Sequence, residues 1–250
     1  MSHDVVFFCE NVTKNYDSVP VVQDISMELQ KGGFISLLGP SGIGKTTLFN
    51  VLAGIDIPDE GNVFLNGENI TGISGKVGYM PQKDLLLEHM TVIDNVILPL
   101  VIRGAKKKIM REYAASFFQE FGLAGYEKKY PSQLSGGMRQ RAALLRTCQT
   151  GNKVILLDEP FSALDAITRR EMQDWYREIA VKMELSTFFI THDIEEALLL
   201  SDTVYIVNGR PGRIAGKFDV YHERQGNEDF AVTAEFLQQK KMILQAIGRQ

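Results

Sequence analysis

The stretch Gly39-Pro40-Ser41-Gly42-Ile43-Gly44-Lys45-Thr46-Thr47 (GPSGIGKTT) decides the fold. It fits the spacing G-x4-G-K-T of a P-loop, in which glycines let backbone N–H groups wrap a β-phosphate, the lysine supplies a point charge and the Thr46 hydroxyl reaches Mg²⁺. A chance match arises in roughly one chain per hundred, so the flanks have to carry the reading. The apolar run Phe34 to Leu38 supplies a strand before the loop, and Thr47-Leu48-Phe49-Asn50-Val51-Leu52 is helix-capable after it. A glycine-rich turn that merely caps a helix is the competing reading.

A P-loop needs a second strand whose carboxylate holds Mg²⁺ through water, and Val154-Ile155-Leu156-Leu157-Asp158 supplies it: a buried strand ending in an acid at its carboxyl edge. Glu159 comes next, where hydrolysis needs a base that polarises a water in line with the γ-phosphate. Alone, Asp-Glu-Pro after a strand reads as a helix-starting turn; beside a P-loop the preference reverses. Gln82 follows the strand-like Val77 to Met80, and its amide could touch Mg²⁺ or the attacking water. His192 stands at the end of the run Thr187 to Ile190, where ligands gather in open α/β sheets, although a helix cap is the plainer role before Asp193 and Glu195-Glu196. The Tyr16 ring could stack on adenine, and most single tyrosines merely pack. Leu134-Ser135-Gly136-Gly137-Met138-Arg139-Gln140-Arg141 (LSGGMRQR) looks like the start of a second anion-receiving helix: Ser135 offers a hydroxyl, and Gly136 and Gly137 allow close backbone approach.

The rest of the chain follows an α/β pattern. Val5 to Phe8, Ile25 to Leu29 and Val63 to Leu65 read as strands, with Asn66-Gly67 as a hairpin turn; the N-terminal third reads as antiparallel strands flanking one buried strand. From Lys106 the spacing turns helical, with Met110, Tyr113, Phe117 and Phe121 on one face. Met172, Trp175, Ile179 and Met183 mark another amphipathic helix between the strands at Val154 and Thr187, the strand–helix–strand order of a parallel sheet. Val204 to Val207 leads to Asn208-Gly209, a second hairpin signal, and Glu223 to Gln250 reads as a polar helical tail. The expected fold class is α/β, a P-loop NTPase (RecA-like) core with an antiparallel β subdomain and an inserted α-helical subdomain. Residues 1–82 and 151–220 are expected to form the nucleotide-binding core, 83–150 the helical subdomain and 221–250 the tail.

With 44% hydrophobic residues the 250-residue chain can bury a sizeable core, and a net charge of −4 with both signs interspersed offers no surface for nucleic acid. Two cysteines, Cys9 and Cys148, make no disulfide framework, and the sequence shows no signal peptide, so a reducing cytosol is the expected setting. The longest apolar run, Val92 to Ile102, contains Asp94, Asn95 and Pro99 and is too short to span a bilayer.

The ordered set resembles the nucleotide-binding subunit of ABC transporters from about Phe7 to Val220. In that resemblance Gly39 to Thr47 matches Walker A, Gln82 the Q-loop, Leu134 to Gln140 the signature, Val154 to Glu159 the Walker B strand with its catalytic glutamate, Ser162-Ala163-Leu164-Asp165 the D-loop, His192 the switch histidine and Tyr16 the adenine platform. The departures are Pro81 before Gln82 and Met138 where glutamine is common. The resemblance implies ATP hydrolysis with Mg²⁺ held by Thr46, Gln82 and Asp158, and a head-to-tail dimer with a second copy, whose ATP the signature residues Leu134, Ser135, Gly136, Gly137, Met138 and Gln140 close upon. It also implies separate membrane permease subunits, reached through Lys83 to Met90, an extracytoplasmic solute-binding protein behind them, and a place on the cytoplasmic face of the membrane. Met138 to Arg141, His192 to Ala197 and Arg210-Pro211-Gly212-Arg213-Ile214 look like the importer ATPases for nitrate, sulfonate, taurine and thiamine-precursor pyrimidines. An exporter ATPase and a soluble ABC-type ATPase are the alternatives.

Overall fold

The computed structural model describes residues 5–220 and 230–248. Two sheets share one core. The first is antiparallel, in the order β2 (Val19–Gln30), β1 (Val5–Tyr16), β4 (Glu60–Leu65) and β5 (Glu68–Asn69). The second has the order β10 (Arg213–Asp219), β9 (Thr203–Asn208), β3 (Phe34–Leu38), β8 (Ser186–Thr191), β7 (Val154–Asp158) and β6 (Gly78–Met80). Its pairings are parallel except β10 on β9. Every residue of β3, β7 and β8 is buried, as the unbroken apolar runs require of strands covered on both faces.

The two-residue period of β7 shows how the layers are divided. Val154 and Leu156 pack with Phe49, Leu52 and Phe188 under the antiparallel sheet. Ile155 and Leu157 point the other way, into a core of Phe118, Phe121, Leu145, Met172 and Tyr176. That second core is roofed by α2 (Val92–Ile102), α3 (Lys107–Phe118), α4 (Gly136–Cys148) and α5 (Ala166–Lys182). The helix after the P-loop, α1 (Lys45–Leu52), lies in the first core and drives Phe49 edge-on against Phe188, with ring centroids 4.9 Å apart. A third cluster joins α6 (Ile194–Leu200) to α7 (Ala234–Gly248) through Leu198, Phe236 and Ile243.

Three details depart from the sequence reading, and part of the expected tail lies outside the described residues. The buried strand β3 lies in the parallel sheet, between β9 and β8, and not among the antiparallel strands that surround it in sequence. On α3 the buried residues are Ala114 and Phe118; of the expected stripe Met110, Phe117 and Phe121 do pack into that core, while Tyr113 is 53% exposed and rests edge-on against Phe117. A small apolar side chain at i, i+4 from Phe118 defines the face better than the larger aromatic does. Asn66 and Gly67 do turn with φ of 51° and 80°, but Asn208 ends β9 as a paired strand residue opposite Arg213, so that hairpin closes over four residues, Gly209 to Gly212. Of the expected tail, residues 221–229 and 249–250 lie outside the described residues, and α7 accounts for the remainder with a short 3₁₀ turn at Phe230–Val232.

Candidate functional site

The P-loop leaves β3 and ends at Gly44, whose φ of 100° turns the chain into α1. A side chain at Gly39 would collide with Val207, 2.6 Å from its carbonyl oxygen, and one at Gly44 would strike Val22 at 2.7 Å. Glycine is therefore obligatory at both positions, because the loop lies directly against β9 and β2. Lys45 is 6% exposed, and its ammonium donates to the carbonyl oxygens of Gly39 (2.8 Å) and Pro40 (2.9 Å). Burial pushes the Lys45 pKa down, and the carboxylates of Glu159 and Asp158 oppose it.

Thr46, the second residue of α1, donates its hydroxyl to Asp158 Oδ2 at 2.8 Å. Asp158 is the last residue of β7 and only 2% exposed. Burial raises its pKa, and the Thr46 hydrogen bond offsets part of the effect.

Glu159 stands in the left-handed region, φ 46°, with its N–H donating to Ile190 O at 3.1 Å. That turn lifts its carboxylate off the sheet edge between two side chains. Gln82 Nε2 donates to Oε2 at 3.0 Å, and His192 Nδ1 lies 3.3 Å from Oε1. The convergence follows from strand order. β6, β7 and β8 are parallel neighbours, so residues just past their carboxyl ends must meet at one edge even though the sequence separates Gln82 from Glu159 by a whole helical insertion.

Tyr16, 45% exposed at the end of β1, donates its hydroxyl to Asp56 Oδ2 at 2.9 Å, and Lys14 Nζ sits 5.3 Å from the ring centroid. Pro40, Ser41 and Ile43 share a cavity of about 260 Å³ with Asn208, Gly209 and Arg210 on the far side of the loop. The sequence reading assigned Asn208 to a turn and Arg210 to a family cue; only the β9–β10 pairing shows that they stand beside Ser41. Thr47 lies on α1 and is partly exposed.

Ser135 caps α4, its hydroxyl accepting from Met138 N–H at 3.3 Å. Among the described residues no hydrogen bond joins 134–140 to the P-loop. Those residues instead border the 162–165 loop and the start of α5 of the same chain: a side chain at Gly136 would meet Leu164 at 3.8 Å and one at Gly137 would meet Thr168 at 3.3 Å. Ser162 donates to Glu159 O at 3.0 Å, Ala163 is exposed, and Asp165 caps α5 by accepting from Ile167 and Thr168 N–H. Leu134 and Met138 lean on the helical core.

Gln140 departs from expectation. It is 6% exposed and faces Met80, Leu157, Phe161 and Tyr176, with Oε1 buried and unpaired among the described residues. A side chain turned into its own core cannot reach a partner's nucleotide. One turn of helix explains the difference, since Gln140 lies past the exposed N-terminus that Ser135 and Gly136 occupy. Arg139, which the sequence reading left without a role, is instead the most heavily bonded side chain of the motif: its guanidinium makes three bonds, to Asp84 and Glu88.

Comparison with known proteins gives the family. The family model described as ABC transporter matches residues 22–162. The formylaminopyrimidine import ATP-binding protein ThiZ of Halalkalibacterium halodurans is 44% identical over 203 residues, 81% of this chain and 79% of that protein. The sulfate/thiosulfate import ATP-binding protein CysA of Gloeobacter violaceus is 39% identical over 85% of this chain, which spans 63% of that protein. Among solved structures, a dimeric ATP-binding cassette in a post-hydrolysis state bound to ADP and Pi superposes with a TM-score of 0.75 at 27% identity, over 86% of this chain and 99% of that one. With the P-loop, the paired Thr46 and Asp158, and a family match across more than half its length, the chain belongs to the ABC transporter family.

Proposed function

We propose that this chain is the ATP-binding and ATP-hydrolysing subunit of an importer, powering uptake of a small solute through separate permease subunits. One observation carries the reading: the Glu159 carboxylate is held between the Gln82 amide and the His192 imidazole, one residue beyond the Asp158–Thr46 pair. Gly39 to Thr47 wrap the phosphates with backbone N–H groups, and Lys45 exchanges its bonds to the Gly39 and Pro40 carbonyls for phosphate oxygens. Tyr16 presents its ring to adenine. Glu159 is the base that takes a proton from the attacking water, and His192 and Gln82 hold that carboxylate and the water in line.

The donors present fit Mg²⁺. Thr46 and Asp158 are hard oxygen ligands, Asp158 is a buried acid whose charge lacks a directly bonded cation, and the described residues hold no cluster of three His, Cys, Asp or Glu. Mg²⁺ suits such a site because it relies on substrate phosphates and retained water for its remaining ligands. When bound, the ion neutralises charge on the phosphate oxygens.

Ser135, Gly136, Gly137 and the N-terminus of α4 form the complementary half-site for the ATP of a second copy, with Ser162 to Asp165 at the seam. Leu134 and Met138 support that end of the helix from behind. We assign residues 1–82 and 151–220 to the nucleotide-binding core, 83–150 to the helical subdomain and 221–250 to the tail. No described helix is long and apolar enough to cross a membrane, which fits a subunit docked on the cytoplasmic face of permease partners through Lys83 to Met90. A solute-binding protein on the other face would select the cargo; the import proteins among the relatives handle formylaminopyrimidine and sulfate or thiosulfate. The test is Glu159→Gln: the variant accumulates as an ATP-bound dimer with little turnover, whereas a monomer hydrolysing at the wild-type rate contradicts the reading.

A further inference from the structure

The segment from Gln82 to Thr91 forms neither helix nor strand, yet the helices hold it almost residue by residue. Arg139 of α4 donates through Nε to Asp84 Oδ2 (2.7 Å) and through Nη2 to Asp84 Oδ1 (3.1 Å) and Glu88 Oε1 (2.7 Å). Arg146, two turns further along the same helix, donates to the carbonyl oxygens of Asp84 and Leu85. Asn95 of α2, fully buried, accepts from Leu87 N–H at 2.7 Å and donates to Leu87 O at 3.1 Å. Leu86 is pegged into the core at 6% exposure, which turns Leu85 (58%) and Leu87 (37%) outward.

The loop thus presents two leucines to solvent while Asp84, Glu88 and the backbone of Leu85 and Leu87 are bonded to helices. Surface ion pairs usually contribute little, but Arg139 and Asp84 form a two-pronged pair with side chains only 24% and 20% exposed, the geometry in which guanidinium–carboxylate bonding is strong. Burial pushes the Asp84 carboxyl up, and the Arg139 hydrogen bonds, the Leu86 N–H and the charges of Arg139 and Arg146 together more than reverse it, leaving the acid below its ordinary value. The bonds are also selective. The loop is fastened to α4, the helix that Ser135 caps, whereas Gln82, just past β6, is bonded to Glu159 of the sheet. The chain between Gln82 and Asp84 is therefore the joint between the sheet edge and the helices.

We propose that Arg139, through Asp84 and Glu88, is a positioning residue that makes α4 and the Asp84–Thr91 part of the loop one rigid body, so that engagement of Ser135 with a second copy's ATP displaces Leu85 and Leu87 by the same movement. This rests on the functional reading above and adds to it the side chain that fastens the loop to α4. Lysine cannot replace the fork, since a single ammonium cannot pair with Asp84 in two-pronged fashion while also reaching Glu88.

The test uses the full chain carrying Glu159→Gln, with nitroxide labels in two pairs, Leu85→Cys with Ser132→Cys and Leu85→Cys with Lys31→Cys. The native thiols stay unlabelled: Cys9 and Cys148 are 3% and 6% exposed, and burial pushes each to about 12. Distances are measured by pulsed electron paramagnetic resonance with and without ATP and Mg²⁺, and dimer formation by light scattering. The expected 85–132 distribution is narrow and unchanged by ATP, while the 31–85 distance shifts on dimer formation. Arg139→Gln broadens the first and abolishes the second, and the exchanged pair Asp84→Arg with Arg139→Asp restores both, which loss of folding in the single variant would not mimic. If the dimer forms and the 31–85 shift survives Arg139→Gln intact, the clamp is wrong and the ATPase reading stands. If ATP forms no dimer even with Arg139 present, the functional reading fails and the clamp falls with it.

Discussion

Asp158 and Glu159 are adjacent acids with opposite surroundings, and their environments divide the work. Glu159 reaches out to Gln82 and His192, so Glu159→Gln, which keeps the shape and removes the base, should lower the turnover number by on the order of 10²–10⁴-fold, measured as phosphate release under saturating ATP. Asp158 is buried without a directly bonded cation, and its raised pKa makes it a cost to the nucleotide-free fold. Between the ordinary carboxylate value and the raised native one, the folded chain keeps a proton that the unfolded chain has lost, so this group's contribution to stability falls as pH rises through that window. Asp158→Asn should therefore raise the melting temperature of the nucleotide-free chain at neutral pH, with the two proteins converging as the pH falls, and should abolish hydrolysis. A variant that melts below wild type at neutral pH would show that the ionised carboxylate stabilises the fold. Both positions were legible in the sequence because a carboxylate after an apolar strand means one thing beside a P-loop and another without it. Arg139 was not, because its partners Asp84 and Glu88 lie in a loop far away in sequence, and nothing local distinguishes it from a solvated arginine.

Elements place these residues, and strand order matters more than strand identity. The runs Phe34–Leu38, Val154–Asp158 and Thr187–Ile190 are recognisable one by one from their apolar content. That β3 leaves its sequence neighbours to sit between β8 and β9 is a tertiary outcome, set by which strands can bury both faces. Periodicity was misleading where residue size and burial disagree, as on α3, where Ala114 is fully buried while Tyr113 is exposed. The helix behind the P-loop is anchored at Phe49, fully buried and set edge-on to Phe188 and Tyr79. Phe49→Ala should cost about 3–5 kcal/mol of stability, read from denaturant unfolding, and should weaken ATP binding because α1 carries Lys45 and Thr46. A loss below about 1 kcal/mol, the size of a typical surface substitution or less, would mean that α1 is not held by this contact.

At the scale of the molecule, the two anion-receiving elements do not meet within one chain. The P-loop stands at the carboxyl edge of the parallel sheet, and the Ser135 end of α4 borders the D-loop with no hydrogen bond to it among the described residues. In the proposed function each is half of a site, and two copies arranged head to tail would complete both halves, so that ATP itself would join the subunits. The sequence displayed both glycine-containing stretches, and only the resemblance to a family set them in different subunits; residue spacing alone does not, because their separation depends on how the roof of helices sits on the sheet. The most direct test of this account is ATP-dependent dimerisation of Ser135→Arg in the Glu159→Gln background, followed by light scattering alongside nucleotide binding to the monomer. The account predicts unchanged ATP binding at the P-loop with dimerisation abolished; a variant that binds ATP and still dimerises would contradict it.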